Sequence, residues 1–144
     1  MIDRPTPLLQ VKGLTKHYVS PRRWFIPKQA PVLAVDDVSF QIDTAETLSL
    51  VGESGCGKTT TAKCVIRLIE PTSGSVLLQG VDLLGLDSKS MRQKRRDLQI
   101  IFQDPYASLN PRLKVSDIVA EPLINFTTLS RAEREEQVLS LIHI

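Results

Sequence analysis

Apolar and polar positions alternate strictly over residues 38–42, with Val38, Phe40 and Ile42 facing one way and Ser39 and Gln41 the other, which predicts a half-buried strand. Upstream, the apolar run around Leu8, Leu9 and Val11, followed by Gly13, predicts an early strand and a turn within residues 8–19. Residues 20–31 are punctuated by Pro21, Pro27 and Pro31 and predict a loop that carries Arg22, Arg23, Trp24 and Phe25. A turn at Asp43-Thr44-Ala45-Glu46 leads into a second expected strand over residues 47–51. The period then lengthens. Beyond Lys58, Ala62, Val65, Ile66 and Ile69 share one helical face, and Pro71-Thr72-Ser73-Gly74 is expected to stop that helix.

A short strand is expected over residues 75–79 with a turn at Gly80, then a polar helix over 88–97 that feeds a strand over 98–102. Residues 103–112, with Pro105, Ser108, Asn110 and Pro111, predict a loop. Ser116 is placed to cap a short helix ending near Pro122. Ser130-Arg131-Ala132-Glu133 has the spacing of a capping box and opens a helix through Val138, Leu139, Leu141 and Ile142. Because that helix runs to the last residue, the pattern predicts a longer parent protein. No internal repeat or low-complexity tract is present.

Composition narrows the class without naming a function. At 144 residues, 42% hydrophobic and 24% charged, the chain is an ordinary globular sequence rather than a disordered or disulfide-stapled one. A net charge of +2 is too near neutral for bulk electrostatics to imply a nucleic-acid partner, so any anion site must be local. The basic run of Arg92, Lys94, Arg95 and Arg96, flanked by Asp87 and Asp97, reads as a solvated helix face rather than a nucleic-acid or headgroup patch. No apolar run approaches the length of a membrane span, and the first residues lack a secretory signal pattern, which makes the cytosol the expected compartment. Cys56 and Cys64 are expected to be free thiols, since eight helical residues span about 12 Å, beyond the reach of a disulfide.

The strongest local signal is Gly52-Glu53-Ser54-Gly55-Cys56-Gly57-Lys58-Thr59, a G-x-x-x-x-G-K-T pattern set between an apolar strand and an amphipathic helix. Glycines at 52, 55 and 57 let successive backbone N–H groups converge on phosphate oxygens at the positive end of the following helix. Lys58 carries a point charge to the terminal phosphates, and the Thr59 hydroxyl is placed to ligate Mg²⁺ bridging the same oxygens. Thr60 can add a hydroxyl toward the α-phosphate or serve in the helix cap. The candidate nucleotide-binding positions are thus Gly52, Ser54, Gly55, Cys56, Gly57, Lys58, Thr59 and Thr60. Glu53 and Cys56 occupy variable positions and receive no catalytic role.

Taken with LLQVKGLTKHY, LAVDDVSFQI and IIFQDPYASLNPR, the string VGESGCGKTT resembles the ATP-binding subunit of ABC transporters, and FQDPYASLNPR resembles its oligopeptide and dipeptide importer branch in particular. The resemblance implies an α/β P-loop ATPase with an N-terminal antiparallel β subdomain. Residues 1–103 would form that subdomain and the P-loop core, and 104–144 the start of the helical subdomain, so the chain would be the N-terminal part of one domain. It implies ATP and Mg²⁺ as ligands, transmembrane permease subunits and a second ATPase subunit, identical or not, as partners, and a peripheral position on the cytoplasmic face of the inner membrane. Gln103 matches the family glutamine that contacts Mg²⁺ and the attacking water, which joins it to Lys58 as a catalytic candidate. Tyr18 matches the aromatic that stacks on adenine, against the plainer role of a strand-edge core tyrosine; Trp24 and Phe25 are rival stackers.

The chain departs from the family pattern at Ala45-Glu46, where Gly-Glu is usual. It also lacks an L-S-G-G-Q signature, an apolar strand ending in Asp-Glu, and a switch histidine, since His17 precedes the phosphate loop and His143 precedes the expected signature. The complete domain is therefore expected to hydrolyse ATP and energise peptide transport, and this chain alone to be inactive. A non-hydrolysing nucleotide-binding fragment without transport function is the alternative. A small-molecule kinase would need acceptor-binding residues and its own magnesium-binding Asp, and FQDPYASLNPR speaks against it. In a parallel sheet, the neighbour of the phosphate-loop strand is expected from sequence beyond Ile144, which would leave an apolar edge open.

Overall fold

Two long strands carry the predicted alternation in a computed structural model that describes residues 6–19 and 30–143. Strand β1 (Leu9–Tyr18) pairs antiparallel with β2 (Val32–Ile42) on one side and with β3 (Ser73–Leu78) on the other; a short β4 (Val81–Asp82) completes the order β2-β1-β3-β4. Val11 lies opposite both Phe40 and Val76, and Leu14 opposite Val38, so the central strand places its apolar positions in one layer. Val38, Phe40 and Ile42 are half-buried and Ser39 and Gln41 exposed, as their alternation requires. Val11, Leu14, Val35, Val76 and Leu78 are buried, together with Cys64 and Val65 of the helix α1 (Lys58–Val65) and with Leu83 and Met91.

Strand β2 begins at Val32, earlier than the alternation alone indicates. The pair Asp36-Asp37 interrupts the pattern, and the ladder absorbs it as an irregularity in which Asp37 takes a left-handed φ of 46° and its N–H donates to Thr15 Oγ1. Gly74 is required at the opposite pairing: with φ at 105°, a Cβ there would sit 2.6 Å from the Gly13 carbonyl oxygen.

Helix α1 ends at Val65, well before Pro71. Its buried face is Thr61, Cys64 and Val65, whereas Ala62 is exposed and Ile66 and Ile69 are half-buried, so the expected face is rotated. The stop is a Schellman closure: Arg67 N donates to Cys64 O (3.0 Å) and Leu68 N to Lys63 O (2.8 Å), with Arg67 at a φ of 52° where glycine is usual. Anchorage of the arginine side chain offsets that backbone cost. Its Nε donates to Glu70 Oε1 at 2.8 Å, and its Nη1 to the carbonyls of Leu83 and Leu86 at 2.8 and 2.7 Å.

The turn before the phosphate loop closes through Glu46 N to Asp43 O (3.2 Å) and Asp43 N to Glu46 Oε2 (2.7 Å), and it forces Ala45 to a φ of 63°. A left-handed alanine costs about 1 kcal/mol, partly offset because glycine loses more chain entropy on folding. Ala45→Gly is therefore expected to stabilise the protein by about 0.5 kcal/mol. A rise in the urea midpoint checks this, and a fall would contradict it.

Residues 47–51 and 98–102 are not strands. Among the described residues neither has a ladder partner, and without one their backbone groups gain nothing from extension. Leu48, Leu50, Val51, Ile101 and Phe102 are exposed, Val51 at 93% and Ile101 at 95%.

The chain divides into two compact units between Met91 and Arg92. Helix α2 (Ser88–Lys94), shorter than expected, starts from Asp87, whose Oδ1 accepts from Ser90 N at 2.7 Å; the Ser90 hydroxyl first, and this N–H second, hold the Asp87 carboxyl below its ordinary range. In the second unit the expected loop contains one helical turn, α3 (Pro105–Ser108). Helices α4 (Val115–Phe126) and α5 (Arg131–His143) follow, with Val138 buried and Ile118, Val119 and Leu123 half-buried. Helix α4 continues through Pro122 instead of ending there. The capping box forms as spaced: Ser130 N donates to Glu133 Oε2 (2.7 Å) and Glu133 N to Ser130 Oγ (3.4 Å), and the Ser130 hydroxyl first, then the Ser130 N–H, lower the Glu133 pKa. Among the described residues, no helix is long and apolar enough to cross a membrane.

Candidate functional site

Gly55 at a φ of 84° and Gly57 at 94° turn the chain from the segment after residue 51 into the first turn of α1. Gly57 is the helix N-cap, and a Cβ there would run into the carbonyl oxygen of Ala34 in β2, so only glycine lets the loop lie against the sheet. At the other end of the loop a Cβ on Gly52 would lie 2.7 Å from Cys56 Sγ. The first helical bond runs from Thr61 N to Gly57 O at 2.8 Å, reinforced by Thr61 Oγ1 to the same oxygen at 3.0 Å. Among the described residues no side chain caps this helix start, and its first turn holds no carboxylate. Its partial positive charge is thereby left for a ligand.

Lys58 is folded across the loop. Its Nζ donates to Gly52 O at 2.8 Å and Glu53 O at 2.6 Å, and approaches Cys56 Sγ at 3.5 Å. In these bonds the ammonium meets two carbonyls and a sulfur, so an anion with several oxygens would be a stronger partner in the same place. Ser54 and Thr59 are exposed and Thr60 is half-buried. A nucleoside triphosphate fits this donor set: backbone amides, one lysine and two hydroxyl-bearing threonines. Among the described residues no group of three or more His, Cys, Asp or Glu side chains is placed to hold a metal. A magnesium ion here would take phosphate oxygens and Thr59, which is compatible with its preference for oxygen ligands.

The remaining candidates lie apart in the chain. Tyr18 ends β1, opposite Val32, and is 43% exposed, so it is not a core tyrosine. Trp24 and Phe25 lie outside the described residues. Gln103 is exposed and belongs to the second unit. Cys56 is an exposed free thiol; Cys64 is a buried one, its pKa raised by burial and only partly drawn back by the charge of Lys16. Sequence reasoning missed Lys16. Its Nζ lies 5.2 Å from the centroid of the Tyr18 ring and donates to Glu70 O at 2.6 Å, a placement that the bare alternation of β1 does not signal.

Residues 35–143 match the family model for ABC transporters. A probable peptide ABC transporter ATP-binding protein of Sinorhizobium fredii is 51% identical over 94% of this chain and 38% of its own length. A di/tripeptide transport ATP-binding protein of Pseudomonas aeruginosa is 47% identical over 94% of this chain and 42% of its own. The chain thus spans about two fifths of the length of these relatives. Among solved structures, a dimeric ATP-binding cassette in a post-hydrolysis state, bound to ADP and Pi, superposes with a TM-score of 0.75 at 28% identity, covering 92% of this chain and 54% of that one.

Proposed function

The chain belongs to the ABC transporter family, and from that premise we propose that it binds MgATP as the nucleotide-binding segment of an ATPase that energises peptide uptake. The observation that carries this is the loop over residues 52–59. Among the described residues, a helix start without a side-chain cap, two left-handed glycines and a lysine bonded to loop carbonyls and a sulfur form a phosphate cradle. Lys58 and the loop amides hold the β- and γ-phosphates; Ser54 and Thr60 flank them, and Thr59 ligates the magnesium ion. The exposed Tyr18 ring stacks on adenine. The match over FQDPYASLNPR supports Gln103 as the water-orienting residue of the complete ATPase.

Peptide as the cargo is supported by the names of the relatives, which transport peptides or di- and tripeptides, and by the match over FQDPYASLNPR. The partners are permease subunits in the membrane and a second ATPase subunit, the latter supported by the dimeric state of the ATP-binding cassette structure. Such partners place the protein at the cytoplasmic face of the inner membrane. Bound magnesium supplies charge neutralisation at the phosphate oxygens.

Calorimetric titration with ATP tests the nucleotide assignment. Saturable binding is expected in the presence of Mg²⁺, with an affinity loss of about tenfold or more when EDTA removes it. ATP binding that is undetectable, or equal with and without the metal, would refute it.

A further inference from the structure

The β1 end that carries Tyr18 is tied down on both sides. Tyr18 and His17 pair with Val32 and Leu33 of β2; on the other side His17 N donates to Thr72 Oγ1 at 2.9 Å, and Thr72 N to Thr15 O at 2.7 Å. Lys16 shares a strand face with Tyr18, two residues on. Its ammonium is fixed at 2.6 Å from the Glu70 carbonyl, and from that anchor it stands over the tyrosine ring at 5.2 Å from the centroid. Glu70 is itself held, its carboxylate bonded to Arg67 Nε at 2.8 Å. A cation on one ring face attracts the π-cloud and leaves the opposite face for a second flat partner.

We infer that Lys16 is a positioning residue for the nucleotide base: bracketed to the Glu70 carbonyl, it holds one face of Tyr18 so that the other is presented, already oriented, to adenine. This rests on the base-stacking role proposed for Tyr18 above. The gain is one of preorganisation. A free exposed tyrosine must give up rotamer freedom when a base stacks on it, and a ring already fixed by a cation gives up less. Because Lys16 acts through the ring, its effect should fall on ligands that have a base and spare those that have only phosphates.

Titrations with ATP and with inorganic tripolyphosphate, both with Mg²⁺, separate these terms. Lys16→Met is expected to weaken ATP about two- to fivefold and leave tripolyphosphate unchanged, and Lys16→Arg, which keeps a cation for the ring, to restore ATP affinity. Lys16→Gln gives the same readout should methionine perturb the strand. Tyr18→Ala is expected to weaken ATP about tenfold or more, again sparing tripolyphosphate. Unchanged ATP affinity in both Lys16→Met and Lys16→Gln, or an equal loss for the two ligands, would overturn the inference while leaving Tyr18 in place. If Tyr18→Ala itself leaves the preference for ATP over tripolyphosphate intact, base stacking at Tyr18 fails and the role of Lys16 fails with it.

Discussion

Lys58→Ala is expected to reduce ATP affinity by about a hundredfold, which corresponds to about 3 kcal/mol. The lysine stem rises from the first residue of α1, and its ammonium reaches back across the loop to Gly52 O and Glu53 O. Those two neutral acceptors are partners it can exchange for phosphate oxygens, gaining charge-assisted bonds without a large movement of the stem. Alanine removes the charge and leaves only amides and hydroxyls to meet a polyanion. The fold should survive, because Lys58 is only half-buried and the first helical bond, Thr61 N to Gly57 O, does not involve its side chain. Calorimetry on both proteins reads the difference. Affinities within threefold of each other would remove Lys58 from the phosphate site.

The second large effect is an absence of turnover. Incubated with MgATP, the 144-residue chain is expected to release phosphate at the rate of buffer, even while it binds nucleotide. Hydrolysis needs a base or water-orienting group in line with the γ-phosphate, and charge stabilisation beyond one lysine and the metal. These residues include no L-S-G-G-Q signature and no apolar strand ending in Asp-Glu. The neutral amide of Gln103 is a poor base. Low solubility is expected alongside, since Leu48, Leu50 and Val51 in the first unit, and Ile101 and Phe102 in the second, are exposed apolar side chains. A monodisperse preparation whose ATPase activity disappears in Lys58→Ala would overturn this.

Much of the site was legible because its signals are local. The glycine spacing in residues 52–59 prescribes a turn into a helix, and the structure places left-handed φ angles at Gly55 and Gly57 and a close approach at Gly57. The alternation over 38–42 and the Ser130–Glu133 capping pair likewise depend on neighbours a few residues away, and both stand as read. What the pattern misjudged depends on distant partners. Residues 47–51 and 98–102 have strand composition, but a strand is a pairing, and neither finds a ladder among the described residues. The end of α1 is decided by Arg67 reaching the carbonyls of Leu83 and Leu86, which no periodicity reports. The rotated face of that helix follows from the sheet it packs on, where Thr61 is buried and Ala62 is not. Lys16 escaped notice for the same reason: its meaning lies in Glu70, far along the chain, and in the ring two residues on.

The most direct test of where the nucleotide sits uses the two thiols. Cys56 is exposed inside the loop, with its sulfur 3.5 Å from Lys58 Nζ, whereas Cys64 is buried in α1 and its thiol pKa is raised by that burial. A maleimide or iodoacetamide pulse followed by mass-spectrometric mapping is expected to label Cys56 first, to abolish ATP binding as it does so, and to be slowed at Cys56 when MgATP is present. Preferential labelling of Cys64, or labelling of Cys56 at the same rate with and without saturating MgATP, would contradict the assignment of residues 52–59 as the phosphate cradle.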